Sequence, residues 1–535
     1  MKSWLLQLQA VYGLKLLLIL FATQHVLKGF VMSLAISSTD FLLKEHHLTG
    51  PQLQMYKAII GLPWALKPLV GILSDAFPLF GYRKAPYILI ATVLGIGGFA
   101  AVGWGYALSL PVVVGCLFCG NLHVSVSDLL TEAKYSEKLR QFSEHGPDLV
   151  TFVWGGVTFG SLVAVSISGY LIAEFGPARV FQVCAICSSV VIVPTLFNYL
   201  EETHMSSEEV RSHRIRIFSN EKEVVLLSAL VAGCVMAMAA TGLIVKDVTV
   251  SFGVSLVVAI VILSAFTLLL RPDIGLVNAF YFIQTSCALA IDGATFYFFT
   301  DDEKSFKGGP NFPVFFYTTV MGLVAATFNM LGLWSYNKLT KQWRYRSLFL
   351  TTNIVLSALN MCSILIYSRV NISLGIPDKV FVLTGSVLQS VISTWMWMPG
   401  VVLMAQLCPK GMEAAMYALL AGCHNIGGSV AQSFGGFMLE RLEVNPSGKP
   451  GEGASFDNLW IAALVSALFP MCSLIMIPYC VPNALQTETV LAEHPTSATA
   501  GSPWERLVGG KVPAIVVKEI ESETASDEER KNLIH

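Results

Sequence analysis

The sequence predicts an all-α protein that crosses a membrane many times, and three observations carry that reading. Hydrophobic residues make up 54% of the chain and charged residues only 13%, about half the charged share of a soluble domain. Apolar runs of about 20 residues, long enough to span a bilayer core, fill most of the 535 residues. Lysine and arginine gather in alternate loops between those runs, as cytoplasmic loops require. A net charge of −2 offers no basic surface for nucleic acid.

In order, the runs predict helices over 14–42, 53–74, 87–107, 110–132, 148–173, 178–200, 223–242, 249–270, 277–300, 313–335, 347–368, 379–405, 413–438 and 457–480. That makes about fourteen spans, with twelve as the smaller alternative. Breakers separate them: Pro51, Pro111, Gly176 with Pro177, Pro272, Pro313, Pro377 and Pro409. The first run lacks a small-residue cleavage site and continues into Lys28, which predicts a retained span rather than a removable leader. With the N-terminus inside, fifteen Lys and Arg fall in cytoplasmic loops and nine in the opposite loops. The Asn371-Ile372-Ser373 sequon then lies outside and is a glycosylation candidate. A plasma-membrane location is expected first and an organellar membrane second.

An internal repeat organises the spans. GILSD (71–75) is separated from Arg83 by seven residues, and GLWSY (332–336) stands at the same distance from Arg344. The second copy carries Tyr336 where the first carries Asp75. Two parallel six-helix halves explain this spacing, as in the major facilitator fold with its midplane site between halves. The expected division is a first half over 1–200, a cytoplasmic linker and extra helix pair over 201–276, a second half over 277–481, and a disordered acidic cytosolic tail over 482–535.

Charges inside spans are costly and therefore functional candidates. Asp75 with Arg83 and Lys84 forms a loop expected to latch the helix bundles on the cytoplasmic side, with Asp128 and Glu132, one turn apart on one helix face, completing that gate and Arg344 as the repeat counterpart. Lys67, between Pro63 and Pro68, predicts a kinked helix and either a buried site or a snorkelling side chain. Lys28 and Asp292 lie deeper, each either a substrate or proton group or half of a structural ion pair. Gln284 and its polar neighbours in the spans either bond adjacent helices or face a cavity. Trp395 and Trp397 lie mid-span and offer either an aromatic face to stack a flat heterocycle, with Trp395 as the substrate candidate, or helix packing; they cannot face the same side at i, i+2 spacing. Gly156 and Gly160 form a close-packing motif. Cys116 with Cys119 and Cys184 with Cys187 sit in apolar helices and read as packing rather than metal ligands. No phosphate loop or nucleophile constellation is legible, so no catalytic residue, metal or cofactor is expected.

Three stretches carry a family resemblance: LPWALKPLVGILSD with FGYRKAPY (62–75, 80–87), SDLLTEAKY (127–135), and WMPGVVLMAQLCPKGMEAAMYALLAGCHNIGGS (397–429). Together they resemble the folate–biopterin transporter family over about 65–480. The resemblance implies secondary transport of folate or pterins, often proton-driven, with Lys67, Asp75, Arg83, Lys410 and Glu413 as motif positions. It equally admits other metabolites such as S-adenosylmethionine. A membrane receptor signalling through the acidic tail is the alternative from another class. The expected partners are a small-molecule substrate, protons and the lipid bilayer.

Overall fold

The computed structural model describes residues 2–142, 146–220, 222–340, 342–408, 413–486, 488, 490 and 498–508. Helices follow the predicted order: α1 (Leu14–Glu45), α2 (Gly50–Ala76), α3 (Ala85–Trp104), α4 (Leu110–Leu139), α5 (Asp148–Phe175), α6 (Pro177–Leu196), α7 (Lys222–Ile244), α8 (Val248–Leu269), α9 (Pro272–Thr300), α10 (Phe316–Thr340), α11 (Tyr345–Tyr367), α12 (Asp378–Gln406), α13 (Glu413–Arg441) and α14 (Gly453–Cys480). Thirteen of them are long and apolar enough to cross a membrane. The other, α13, carries more polar residues and is enclosed by α2, α7, α8 and α9. Polar residues on an enclosed helix can find protein partners and need not meet lipid.

Several spans are not uniform helices, and the irregularities fall where the sequence demands them. Helix α1 widens into a π-helical stretch at Phe21–Val31. In α2 a 3-10 segment, Leu62–Leu66, precedes Lys67. Pro63 and Pro68 lack the N–H groups that a continuous α-helix would use there. Helix α9 breaks between Cys287 and Asp292. Gln54 of α2 fills that break: its Nε2 donates to Ala290 O at 2.6 Å and Gln432 O at 2.8 Å, and its Oε1 accepts from Gly293 N at 3.2 Å. The side chain is fully buried, so these bonds replace water that cannot reach the freed backbone.

Glycine permits close helix contacts at several places, among them α5 on α1 and α9 on α2. A Cβ on Gly156 would meet the His25 ring at 2.0 Å, and one on Gly160 would meet His25 O at 2.3 Å, which brings α5 onto α1. A Cβ on Gly293 would meet Gly50 O at 2.2 Å, which brings α9 onto α2.

The helices α7 and α8 pack on each other and on α2, α9 and α13. Phe252 of α8 stacks on Phe437 of α13 at 4.1 Å, and Ser251 donates to Met55 Sδ of α2 at 3.2 Å. The extra pair therefore touches both the first six and the last six helices.

Two expectations need correction. The beginning of the tail is docked rather than disordered: Arg344 Nη1 donates to Asn483 O at 2.9 Å and Tyr345 N to Ala484 O at 3.0 Å. Residues 498–508 also pack, with Arg271 N donating to Ala498 O at 2.9 Å. The acidic end lies outside the described residues. The sequon Asn371 is fully buried, and its Nδ2 donates to Asp378 Oδ1 at 2.7 Å and Ile376 O at 3.1 Å. That nitrogen has no room for a glycan.

Replacing Gln54 by Leu strands Ala290 O and Gly293 N of the α9 break in a dry interior. The variant is expected to lose about 2 kcal/mol or more of stability, read as a lowered unfolding midpoint in detergent by tryptophan fluorescence.

Candidate functional site

Among the described residues, two charge clusters lie within the helical spans. The inner one draws on α1, α2 and α4. Asp128 holds two lysines at once: Oδ1 lies 2.8 Å from Lys28 Nζ and Oδ2 lies 2.6 Å from Lys67 Nζ. Its side chain is 2% exposed. Each lysine also sits over an indole, Lys28 at 4.8 Å from the Trp154 ring and Lys67 at 4.6 Å from Trp64. Such cation–π contacts strengthen as water is excluded. Glu132 follows one turn along α4 and accepts from Tyr135 Oη at 3.3 Å. Two cations and two carboxylates thus share one region, while Asp128 takes both close ion pairs.

The last six helices face this region through α13. Asn425 Nδ2 donates to Trp64 O at 3.1 Å, and Tyr417 lies within electrostatic reach of Asp128 and Glu132. Next to Asn425, His424 Nδ1 is 2.9 Å from Thr285 Oγ1 of α9, and its ring lies 5.0 Å from that of Trp397. Gln284 donates to Asn353 Oδ1 at 2.9 Å. Trp395 Nε1 turns away to Gly332 O and Ser335 Oγ at 3.1 and 2.9 Å. The two tryptophans of α12 therefore face apart, as their spacing requires.

The outer cluster joins the first six helices to the last six, on the side that the charge asymmetry assigns outward. Lys57 of α2 lies 3.0 Å from the Asp40 carboxylate of α1 and 2.8 Å from Asp292 Oδ2 of α9. Gln432 Nε2 of α13 stands 3.4 Å from Asp292 Oδ1. Asp292 opens the second segment of the broken α9, Asp292–Thr300, where the helix dipole favours a carboxylate. Nearer the outward ends, Lys44 Nζ pairs with Asp301 Oδ1 at 2.7 Å and Tyr297 Oη donates to Leu48 O at 2.6 Å. Thr319 of α10 adds a bond to Val165 O of α5 at 2.9 Å.

The expected cytoplasmic gate is built differently. Asp75 and Arg83 are 3.9 Å apart, both well exposed, and belong to α2 and the loop that follows it. They do not latch one bundle to the other. Lys84 Nζ pairs with Glu137 of α4 at 2.9 Å, and Glu202 caps α3 by accepting from Lys84 N and Ala85 N at 3.0 and 2.9 Å. Asp128 does not join that loop, because the two deep lysines hold it. At the repeat position, Tyr336 bonds Gln486 and Arg344 binds Asn483 O. Lys410 and the Glu413 side chain lie outside the described residues.

Lys57, Asp40 and Gln54 escaped the sequence reading. The signal was present, since Lys57 and Asp40 lie inside the predicted spans 53–74 and 14–42 and meet the same cost criterion as Lys28.

The profile of the BT1 family matches residues 28–496. Among characterised sequences, the chain is 24% identical to "Probable folate-biopterin transporter 6" of Arabidopsis thaliana, over 89% of this chain and 85% of that one. It is 26% identical to "Folate-biopterin transporter" of a Synechocystis strain, over 89% and 84% of the two chains. "Folate transporter 2" of Plasmodium falciparum is 22% identical over 84% and 85%. Among solved structures, a POT family transporter bound to a thioalcohol-conjugated peptide superposes with a TM-score of 0.60 at 14% identity, covering 89% of this chain and 98% of that one. A D-xylose–proton symporter reaches 0.51 at 14% identity, covering 90% and 98%. At such identities the likeness establishes the major facilitator fold alone. With its helical spans and these relatives, the chain is an integral multi-pass membrane transporter of a small molecule.

Asp128→Asn leaves two lysines facing one neutral amide and is expected to cost about 3–5 kcal/mol, lowering the unfolding midpoint far more than Glu132→Gln. Asp75→Asn should change it by less than about 1 kcal/mol, measured in the same denaturation assay.

Proposed function

The chain belongs to the BT1 family, and from that premise we propose that it is a secondary active transporter of folate or pterins, working by alternating access with protons as the coupling ion at the plasma membrane. The observation that carries the substrate assignment is the pair of lysines on Asp128. Lys28 and Lys67 share Asp128 as their one close partner, so either can be released to another carboxylate, at mid-span and beside two indoles. A folate-type substrate brings the complementary groups: a flat heterocycle for aromatic stacking and a carboxylate tail for a lysine. One lysine can turn to the substrate carboxylate while the other keeps Asp128 neutralised.

The amide and imidazole edge of α13, with His424 against Thr285 and Asn425 against Trp64 O, supports hydrogen bonding to the pterin ring from the opposite side. Alternating access is supported by ion pairs between the helix groups on the outward side, where they close one face of a site lying between them.

The test uses cells expressing the chain, with surface expression confirmed, and measures accumulation of labelled folate, biopterin and S-adenosylmethionine with and without an uncoupler. Folate or biopterin uptake that collapses with the uncoupler is expected; accumulation of neither would overturn the reading. Lys67→Gln is expected to raise the KM for folate about tenfold or more while changing that for biopterin, which lacks the carboxylate tail, much less. Equal changes for both would remove Lys67 from tail recognition.

A further inference from the structure

We propose that Asp292 is the proton-binding carboxylate of transport, and that Lys57 exchanges partners between Asp292 and Asp40 as the outward face opens and closes. This rests on the proton-coupled transport reading and names its coupling site.

The geometry is one lysine between two carboxylates on opposite helix groups. Asp40 comes from α1 and lies with Lys57 in the first six helices; Asp292 comes from α9 in the last six. The Lys57–Asp292 pair therefore crosses the line along which the groups must part. Parting with Asp292 charged would leave Lys57 with Asp40 but strand the Asp292 carboxylate inside the span, which is strongly unfavourable. A proton on Asp292 removes that charge, and Asp40 at 3.0 Å keeps Lys57 neutralised. Opening then strands no charge. On closing, Lys57 stays protonated and displaces the proton from the Asp292 carboxyl to water on the inner side, because Lys44–Asp301 and Tyr297–Leu48 seal the outward side.

Asp292 is suited to this exchange. Its side chain is 42% accessible although it lies deep in the span, whereas Asp40 is 18% accessible. It stands at a helix break, where the backbone can adjust. The polar neighbours are Gln432 of α13, Tyr317 of α10 and Tyr367 of α11, with Tyr297 of α9 near Asp40. Phenols are ordinarily neutral below about pH 9, so Lys57 and the two carboxylates carry the charge that changes.

The two carboxylates have opposite predicted effects, which a merely structural ion pair would not show. The purified chain is reconstituted in vesicles with folic acid as the probe, and spin labels are placed at Glu45 and Glu303 through a non-natural amino acid that leaves the native cysteines intact. In the wild type, lowering the outside pH from about 7.5 to about 5.5 should populate a longer distance. Asp292→Asn should show that longer distance at both pH values, lose about tenfold or more of gradient-driven accumulation, and keep exchange at equal concentrations near the wild-type rate. Asp40→Asn should hold the short distance at both pH values and slow accumulation and exchange alike. Identical behaviour of the two variants, a pH-independent distance in the wild type, or wild-type accumulation by Asp292→Asn would each overturn the assignment. If the wild type moves neither folate nor biopterin, the transport reading fails, while the distance measurements still decide whether Asp292 governs opening.

Discussion

Charge cannot be left unpaired in the interior of this molecule, and much of the architecture follows from that constraint. An ion in a low-dielectric span must find an opposite charge and enough hydrogen bonds to offset the lost water. Asp128 meets it by holding Lys28 and Lys67 with separate oxygens, and the indoles of Trp154 and Trp64 receive the remaining faces of the ammonium groups. Lys57 meets it with Asp40 and Asp292. These pairings fix how α1 sits on α2 and α4, and how α2 sits on α9.

The same constraint explains where the helices are irregular. Lys28 falls in a π-helical stretch, Lys67 follows a proline-bounded 3-10 segment, and Asp292 follows a break. Such distortions free backbone groups and are tolerated in a membrane only where protein satisfies them. Gln54 does so for α9. A residue that carries no charge is thus as necessary to the outer cluster as its ions, since it braces the break from which Asp292 projects.

Helix number, order and approximate ends were legible in the sequence because apolar length is a one-dimensional signal. The kinked surroundings of Lys67 were legible from Pro63 and Pro68, and the close approach of α5 to α1 from Gly156 and Gly160. Partners were not. Asp128 and Glu132 sit near Lys134 in sequence, which invited a cytoplasmic gate, yet Asp128 pairs with lysines 100 and 61 positions away. The loop Asp75–Arg83 resembles a latch between bundles, but the chain there returns on itself and the two groups meet across a single turn region. At the repeat position Tyr336 stands where the first copy has Asp75. Its partner, Gln486 from the segment after the last helix, lies 150 positions away and has no local signature.

The two clusters differ in charge count, and this bears on how a cycle would avoid leakage. Lys28 and Lys67 share their region with Asp128 and Glu132, although Asp128 takes both close contacts; Lys57 faces two carboxylates. On the proposed reading, a substrate carboxylate takes over one of the lysines that share Asp128, and a proton neutralises the excess carboxylate of the outer cluster. The proton thereby removes the charge whose desolvation would oppose parting of the helix groups. Direct contact between substrate and proton is not required. Gln54, Lys57 and Lys67 all belong to α2, with the 3-10 segment Leu62–Leu66 between the two clusters, so one span contributes a lysine to each.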